Sequence, residues 1–352
     1  MEEKAILATW LFRTDISNLN AGEGTTNLKE IKTYGDGLPY ISGQSVRHAL
    51  RKAIKRENVD NFKCTVEYPC GDIKSCWLCD MFGYLLPGEG GKRWSPIKAS
   101  PAMGQIKKRV TTDMILRLVR DIECPKCKEK INPMWARDKE GGEEKTIKEG
   151  GKLICPKCGG DFKAPYQIRQ ALAYKQLIDN IYRVSVSIDI AALGVHEIPL
   201  IEGEGKEAKI KGVKYKPFYD GDEKIKRIKA ILKGISNMSD FASQSREMTN
   251  ASPDVILISK QGEYNHRLTS ALYMDKSGNI DSEYFSKVLK DVLSIPNTQI
   301  YAGFMPNVIE NQQNVIEKIE EIAQDHKGAI VYKVNEKILT PREAINRVIN
   351  SL

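Results

Sequence analysis

The sequence predicts an α+β protein on a split βαβ, ferredoxin-like core that two insertions interrupt. Three observations point there: strand-type alternation near the start and again after residue 180, helical spacing between and after those strands, and two irregular stretches that separate them. From Lys4 to Arg13, Ile6, Ala8, Trp10 and Phe12 fall on one face, with Leu7, Thr9, Leu11 and Arg13 on the other, an opening strand with a well-covered face. After a polar loop, Val46, Ala49, Leu50, Ala53 and Ile54 recur at helical spacing, so a helix starts near Ser42 or Gly43 and runs to about Arg56. Arg183 to Ile190 alternates as a second strand, with Val184, Val186, Ile188 and Ile190 inward. A helix over 222–241 carries Ile225, Ile228, Ile231, Leu232 and Ile235. Strands are expected at 255–258, 299–304 and 329–334, and helices at 282–293, 310–324 and 341–349. The predicted domain plan is therefore an opening core segment at 1–56, an insertion at 57–180, a core strand at 181–196, a second insertion at 197–221, and a closing core segment with C-terminal helices at 222–352.

The chain has 352 residues, 41% apolar and 28% charged, which fits one large domain with protrusions and a sizeable core. No run of about 18 apolar residues occurs, and Met1-Glu2-Glu3-Lys4 lacks the basic-then-apolar order of a secretory signal, so no membrane partner and a cytoplasmic location are expected. Lys and Arg (54) exceed Asp and Glu (46), giving net charge +8. The excess is clustered: residues 28–56 hold seven basic side chains against Glu30 and Asp36. Clustered positive charge suits a phosphate backbone through counterion release, while the alternative is a solvated Lys-rich surface.

Eight cysteines without a secretory signal argue for metal rather than disulfides. Cys124-Pro125-Lys126-Cys127 and Cys155-Pro156-Lys157-Cys158 are two matched knuckles 27 residues apart, the spacing from which a tetrahedral zinc collects four thiolates. Gly159-Gly160 supplies the positive φ such a turn needs. With four cysteine ligands no coordination position stays open, so this zinc is structural and marks a zinc-ribbon-like element at about 121–165. Cys64, Cys70, Cys76 and Cys79 leave two readings: a second zinc, or reduced cysteines packed beside Trp77 and Phe82.

On the first helix, Arg47, Arg51 and Lys55 recur every four residues opposite Val46, Leu50 and Ile54. Its first amides, at Gly43, Gln44 and Ser45, have no partners inside the helix and lie at the positive end of its dipole. A phosphate can dock there beside Ser42 and Gln44. The alternative is an ordinary amphipathic helix with a soluble basic face. Catalytic motifs are missing: His48, His196, His266 and His326 form no metal pair, and Asn20-Ala21-Gly22-Glu23-Gly24 is no phosphate loop.

Several segments, in order, resemble the DevR-type CRISPR-associated proteins of the RAMP superfamily: Leu19-Asn20-Ala21-Gly22-Glu23-Gly24; Gly37 to Ser45; Asp80-Met81-Phe82-Gly83-Tyr84; Arg93-Trp94-Ser95-Pro96 through Ser100-Pro101-Ala102; the strand Ser185 to Leu193 ending in Gly194; and Ala251-Ser252-Pro253. The resemblance covers roughly residues 1–260. It implies a hand-shaped protein: an RRM-like palm, a fingers insertion at 57–180 that carries the zinc knuckles, and a thumb hairpin at 197–221. It further implies a backbone subunit of a type I Cascade complex, not itself an enzyme, whose partners are crRNA, the target DNA strand, other copies of itself along the guide, and other Cascade subunits. Carried onto this chain, the guide contacts are Ser42, Gln44, Arg47 and Arg51, with Lys55 on the same helix. Lys29 and Lys32 lie in the preceding loop, and Lys206, Lys209 and Lys211 line the thumb. The segment Gly37-Leu38-Pro39-Tyr40-Ile41-Ser42-Gly43 also resembles type III backbone subunits, which cleave target RNA with an acidic loop residue. On that alternative, Glu30 or Asp36 would serve a metal-dependent cleavage. A zinc-ribbon regulator of duplex DNA is disfavoured, since no recognition helix adjoins the second knuckle.

Overall fold

The structure, a computed structural model, describes residues 3–20, 28–86, 91–117, 121–133, 136, 146–169, 171–203, 209–241 and 247–352. It is a mixed α+β protein in two compact units: residues 1–21, 31–109 and 178–352 form the first, and 22–30 with 110–177 form the second. The 57–180 stretch is thus divided, since 57–109 and 178–180 belong to the first unit. No helix among the described residues is long and apolar enough to cross a membrane.

The elements that frame the first unit are, in chain order, β1 (Ala5–Ser17), β2 (Leu38–Ile41), α1 (Gly43–Glu57), α2 (Trp77–Phe82), β3 (Ile97–Ala99), β4 (Ala102–Gly104), β5 (Ala171–Asp189), β6 (Val195–Glu202), β7 (Lys209–Pro217), α3 (Gly221–Ser236), β8 (Val255–Gln261), α4 (Ser282–Leu293), β9 (Gln299–Phe304), α5 (Gln312–Asp325), β10 (Ile330–Val331) and α6 (Pro341–Asn350). β1 lies between β5 and β8, antiparallel to both, with Ala5 opposite Asp189 and Gln261. β3 and β4 pair antiparallel with β5, through Val186↔Ala99 and Tyr182↔Gly104. β9 and β10 extend the sheet beyond β8, and β2 extends it beyond β4. The central order is therefore β8-β1-β5-β3/β4, a split βαβ connectivity in which α1 links β1 to β3 and α3 links β5 to β8.

The second strand of that set, β3/β4, carries no alternation signal. Pro101 divides it into two three-residue pieces, of which Ile97 and Ala102 are buried, too short a pattern to count.

Helices cover both faces of the sheet. Ile6, Ala8, Trp10 and Phe12 join Val46, Leu50, Ile54, Ile228, Ile231 and Val348 in one core. Leu7 and Leu11 join Leu257, Phe285, Leu289, Val315 and Ile319 in another. This explains why residues 5–12 of β1 are apolar except for Thr9: an antiparallel strand buried on both sides loses the polar half of its alternation. Each of these aliphatic side chains contributes roughly 1.5–3 kcal/mol by leaving water.

In the second unit, residues 171–177 of β5 pair with Thr111–Arg117 and run parallel to Leu28–Lys29. Three further two-stranded ribbons follow: Ile122–Glu123 with Lys130–Ile131, Lys152–Ile154 with Asp161–Lys163, and Thr146–Ile147 with Ile168–Arg169.

Candidate nucleic-acid interface and metal centres

Ser42 caps α1: its Oγ accepts the Ser45 amide at 3.3 Å, and its own amide donates to Asn20 Oδ1 at 2.9 Å. Asn20 Nδ2 donates to Tyr40 O (2.9 Å), and the buried Ser45 Oγ donates to Leu19 O (2.6 Å). Leu19, Asn20, Ser42 and Ser45, prominent in the sequence, therefore fasten the entry of α1 to the end of β1. A Cβ on Gly43 would contact Ala99 O at 3.5 Å, so that side of the helix end faces the β3–β4 link, while Gln44 is exposed.

Of Arg47, Arg51 and Lys55, the three basic residues spaced by four on α1, Arg47 has a task within the fold. Its guanidinium donates to Phe82 O (2.9 Å) and Ile97 O (3.1 Å), closing the C-terminal end of α2 and tying it to β3. Burial, then the neighbouring Arg51, pulls its pKa below the usual arginine value. Arg51 lies 5.9 Å from the Phe82 ring and beside His48 (3.4 Å). Lys55 is exposed. The outward stripe of α1 thus reads Gln44, His48, Arg51 and Lys55, spaced by four, three and four residues. His48 belongs to it although sequence reasoning passed over it; burial first, then Arg51 and Lys52, hold its pKa below the ordinary histidine value.

Gln44, His48 and Arg51 of this stripe, together with Arg47, line a groove of about 520 Å³ that Thr65, Val66 and Pro69 line as well. These last three belong to the loop of the second cysteine set. Cys64, Cys70, Cys76 and Cys79 converge, with all four Sγ atoms within 4.8 Å and separations of 3.4 Å (64–76), 3.5 Å (64–79) and 3.7 Å (70–79). Four sulfurs on a zinc at about 2.3 Å would sit roughly 3.8 Å apart. Cys76 is pushed down to about 4, chiefly because the Cys79 thiol donates to it, while burial lifts Cys64 to about 11. Crowded thiols cannot all ionise by themselves; a divalent cation would remove that conflict.

The matched knuckles of the second unit converge likewise. Cys124, Cys127, Cys155 and Cys158 lie within 4.8 Å, with Sγ separations of 3.8 Å (124–158) and 3.7 Å (127–155). Cys124 and Cys155 are buried, while Cys127 and Cys158 are exposed. The Lys128 amide returns to Cys124 O (2.8 Å) and the Gly159 amide to Cys155 O (2.9 Å), each residue at positive φ (63° and 68°). The positive φ expected of Gly159 is there; in the first knuckle a lysine takes that conformation instead. Each knuckle's lysine pairs with an acid that follows the other knuckle, Lys126 with Asp161 (2.9 Å) and Lys157 with Glu129 (2.5 Å). Both cysteine sets have the donors and spacing to hold a metal ion such as zinc.

α2 also carries the centre of a charged hub, Asp80. Asp80, fully buried, takes Arg93 and the Gly194 amide on Oδ1 (2.6 and 3.0 Å), and Arg227 and Tyr219 Oη on Oδ2 (2.6 and 2.5 Å). Arg227 also binds Glu223 (2.8 Å) and the carbonyls of Ile73 (3.0 Å) and Lys74 (2.7 Å) in the cysteine loop. Arg93 reaches Ala192 O (2.9 Å) and Val195 O, at the foot of the β6–β7 hairpin. Gly83 ends α2 with φ 74°, and a Cβ there would stand 2.5 Å from Arg93 O. Gly83→Ala is expected to cost more than about 1 kcal/mol, read as a lower thermal midpoint, because both the conformation and the contact oppose a side chain.

Lys29, in the second unit, and Lys32, in the first, are both half-buried, and desolvation pulls the Lys29 pKa down. Lys209 and Lys211 are exposed on β7, where Lys211 pairs with Glu202; Lys206 lies outside the described residues. Glu30 and Asp36 are exposed. Among the described residues, the groups of three or more metal-binding side chains that converge are the two cysteine sets.

Over its whole length the chain is similar in fold to chains of solved structures. One is described as "CRISPR RNA-guided surveillance complex", with a TM-score of 0.52, 12% identity and 99% of each chain covered. Another is "CRISPR RNA-guided surveillance complex, pre-nicking", with a TM-score of 0.51, 9% identity and again 99% of each chain covered. At these identities the likeness is one of fold. No protein-family model and no curated protein matches the sequence.

Proposed function

We propose that the protein is a scaffold that binds single-stranded nucleic acid along its backbone by charge neutralisation. Within that class it is a crRNA-binding backbone subunit of a type I CRISPR interference complex, of DevR type and not catalytic. The first unit serves as an RRM-like palm, the second as fingers, and the β6–β7 hairpin as thumb. Copies assemble along the guide with other Cascade subunits and present it to the target DNA strand. Two structural zinc ions hold the cysteine sets. The observation that carries this reading is the outward stripe of α1, where His48 and Arg51, with Arg47 beside them, line a groove shared with the cysteine loop and Lys55 continues the stripe. The full-length fold likeness to chains of RNA-guided complexes supports it.

The test is charge reversal at the two cations that the fold does not use to close α2, Arg51→Glu with Lys55→Glu. RNA affinity is expected to fall, and the slope of log affinity against log salt to shrink by about 1.4, at about 0.7 per phosphate contact on a single strand. Complementary RNA incubated with magnesium is expected to stay uncut. Unchanged affinity and slope would remove the reading. Arg47 is unsuited to this test, since its loss also frees the end of α2.

A further inference from the structure

A second groove, of about 540 Å³, runs between α1 and α3 and shares no residue with the outward stripe of α1. Ala53 and Ile54 of α1 line it, with Ile225, Ala230 and Gly234 of α3. It exists because small residues make this helix contact. A Cβ on Gly234 would stand 2.5 Å from Ile54 Cγ1, so the two helices come close there, and Ala53 and Ala230 fill little of the space beside them.

Lys226, Lys229 and Lys233 line the same groove, spaced by three and four residues along α3. Lys226 and Lys233 are exposed and Lys229 is half-buried. Among the described residues no carboxylate comes within 4 Å of these three ammonium groups, whereas Lys52 and Arg56 of α1 share Asp240. Arg342 donates to the groove-lining Asn237 Oδ1 (3.0 Å) and adds a fourth cation at that end. The acids that line the groove are Glu57 and Asp222.

This lining selects its occupant. The excess of lysine draws a negatively charged partner. The aliphatic groups favour side chains that gain by leaving water, which a sugar-phosphate chain lacks. Trp77 also lines the groove but is 1% exposed, so it offers no free ring face to a base. An amphipathic helix supplies both needs at once, with apolar anchors at i, i+3, i+4 and i+7 and carboxylates beside them.

We propose that the α1–α3 groove docks an acidic, amphipathic helix of a different protein subunit. The inference goes beyond the RNA reading and uses another side of α1 than the one that reading assigns to phosphate.

The experiment uses the full chain and a fluorescent peptide of about 15 residues, roughly four helical turns, with leucine at the anchor positions and glutamate elsewhere. A second peptide carries lysine in place of glutamate. The leucine–glutamate peptide is expected to bind, and more weakly as salt rises. Lys229→Glu with Lys233→Glu should weaken it about tenfold at an unchanged melting temperature, with Lys229→Gln/Lys233→Gln in between. The lysine peptide should not bind. The Arg51→Glu/Lys55→Glu variant should hold the acidic peptide as wild type does, whatever becomes of its RNA affinity, so the two readings stand or fall separately. No binding of the acidic peptide below about 1 mM overturns the inference, as does equal binding by the Lys229→Glu/Lys233→Glu variant or by the lysine peptide. Displacement of the acidic peptide from the Arg51→Glu/Lys55→Glu variant by single-stranded RNA would assign the groove to nucleic acid and overturn it too.

Discussion

Asp80→Ala is expected to destabilise the protein by about 3–5 kcal/mol. Asp80 is fully buried between two guanidiniums that are themselves 5% and 1% exposed, those of Arg93 and Arg227. With Glu223 on Arg227, the hub holds two cations and two anions; without Asp80, one buried cation loses its counter-charge. Tyr219 Oη and the Gly194 amide lose their acceptor in the same step. At about 2–4 °C per kcal/mol for a domain of this size, the melting temperature should fall by roughly 6–20 °C. Asp80→Asn separates charge from shape, because it keeps an acceptor for Tyr219 or Gly194 and removes the ion pairs. A thermal shift for Asp80→Ala within about 2 °C of wild type would show that the hub does not hold the hairpin foot, the cysteine loop and α3 together.

Cys155→Ser is expected to remove one zinc per chain and to unfold the ribbon of the second unit. Its small core consists of Ile122, Cys124, Ile131, Ala136, Leu153, Cys155, Ala164 and Ile168, two of them cysteines of the knuckles. Six further side chains, two of them alanines, bring only several kcal/mol by burial, whereas ordering each residue costs about 1–2 kcal/mol of backbone entropy. Elements this short need a staple, and structural zinc supplies roughly 10–16 kcal/mol at neutral pH. Elemental analysis should give two zinc ions per wild-type chain and one for the variant. Amide exchange should accelerate across 121–168, and the first unit should keep its protection. Two zinc ions in the variant, or exchange unchanged across the ribbon, would overturn the assignment of this site.

The features of the fold that were legible in the sequence are those recorded by short-range patterns. α4 begins and ends at the expected residues, and α1, α3, α5 and α6 follow from recurring aliphatic positions. β1 is recognisable from its apolar run. The knuckles are legible because each supplies two thiols within a single tight turn, so the spacing itself states the geometry. Cys64 and Cys70 carry no such local statement: they reach Cys76 and Cys79 only because the loop between α1 and α2 folds back.

By itself, then, the sequence determined the α+β class, the positions of the long helices, the matched cysteine knuckles and the basic character of α1. The tertiary structure alone decided what those basic groups touch: Arg47 and Arg51 both line a groove, Arg47 in addition holding two carbonyls, while Lys55 stays in solvent. It also decided the second cysteine cluster, the β3/β4 strand, and the pairing of Asp80 with Arg227 across 147 residues. The physical reason is range. Periodicity and ligand spacing act within a few residues of the chain, whereas a buried charge or a scattered thiol finds its partners only after the sheet has brought distant segments together.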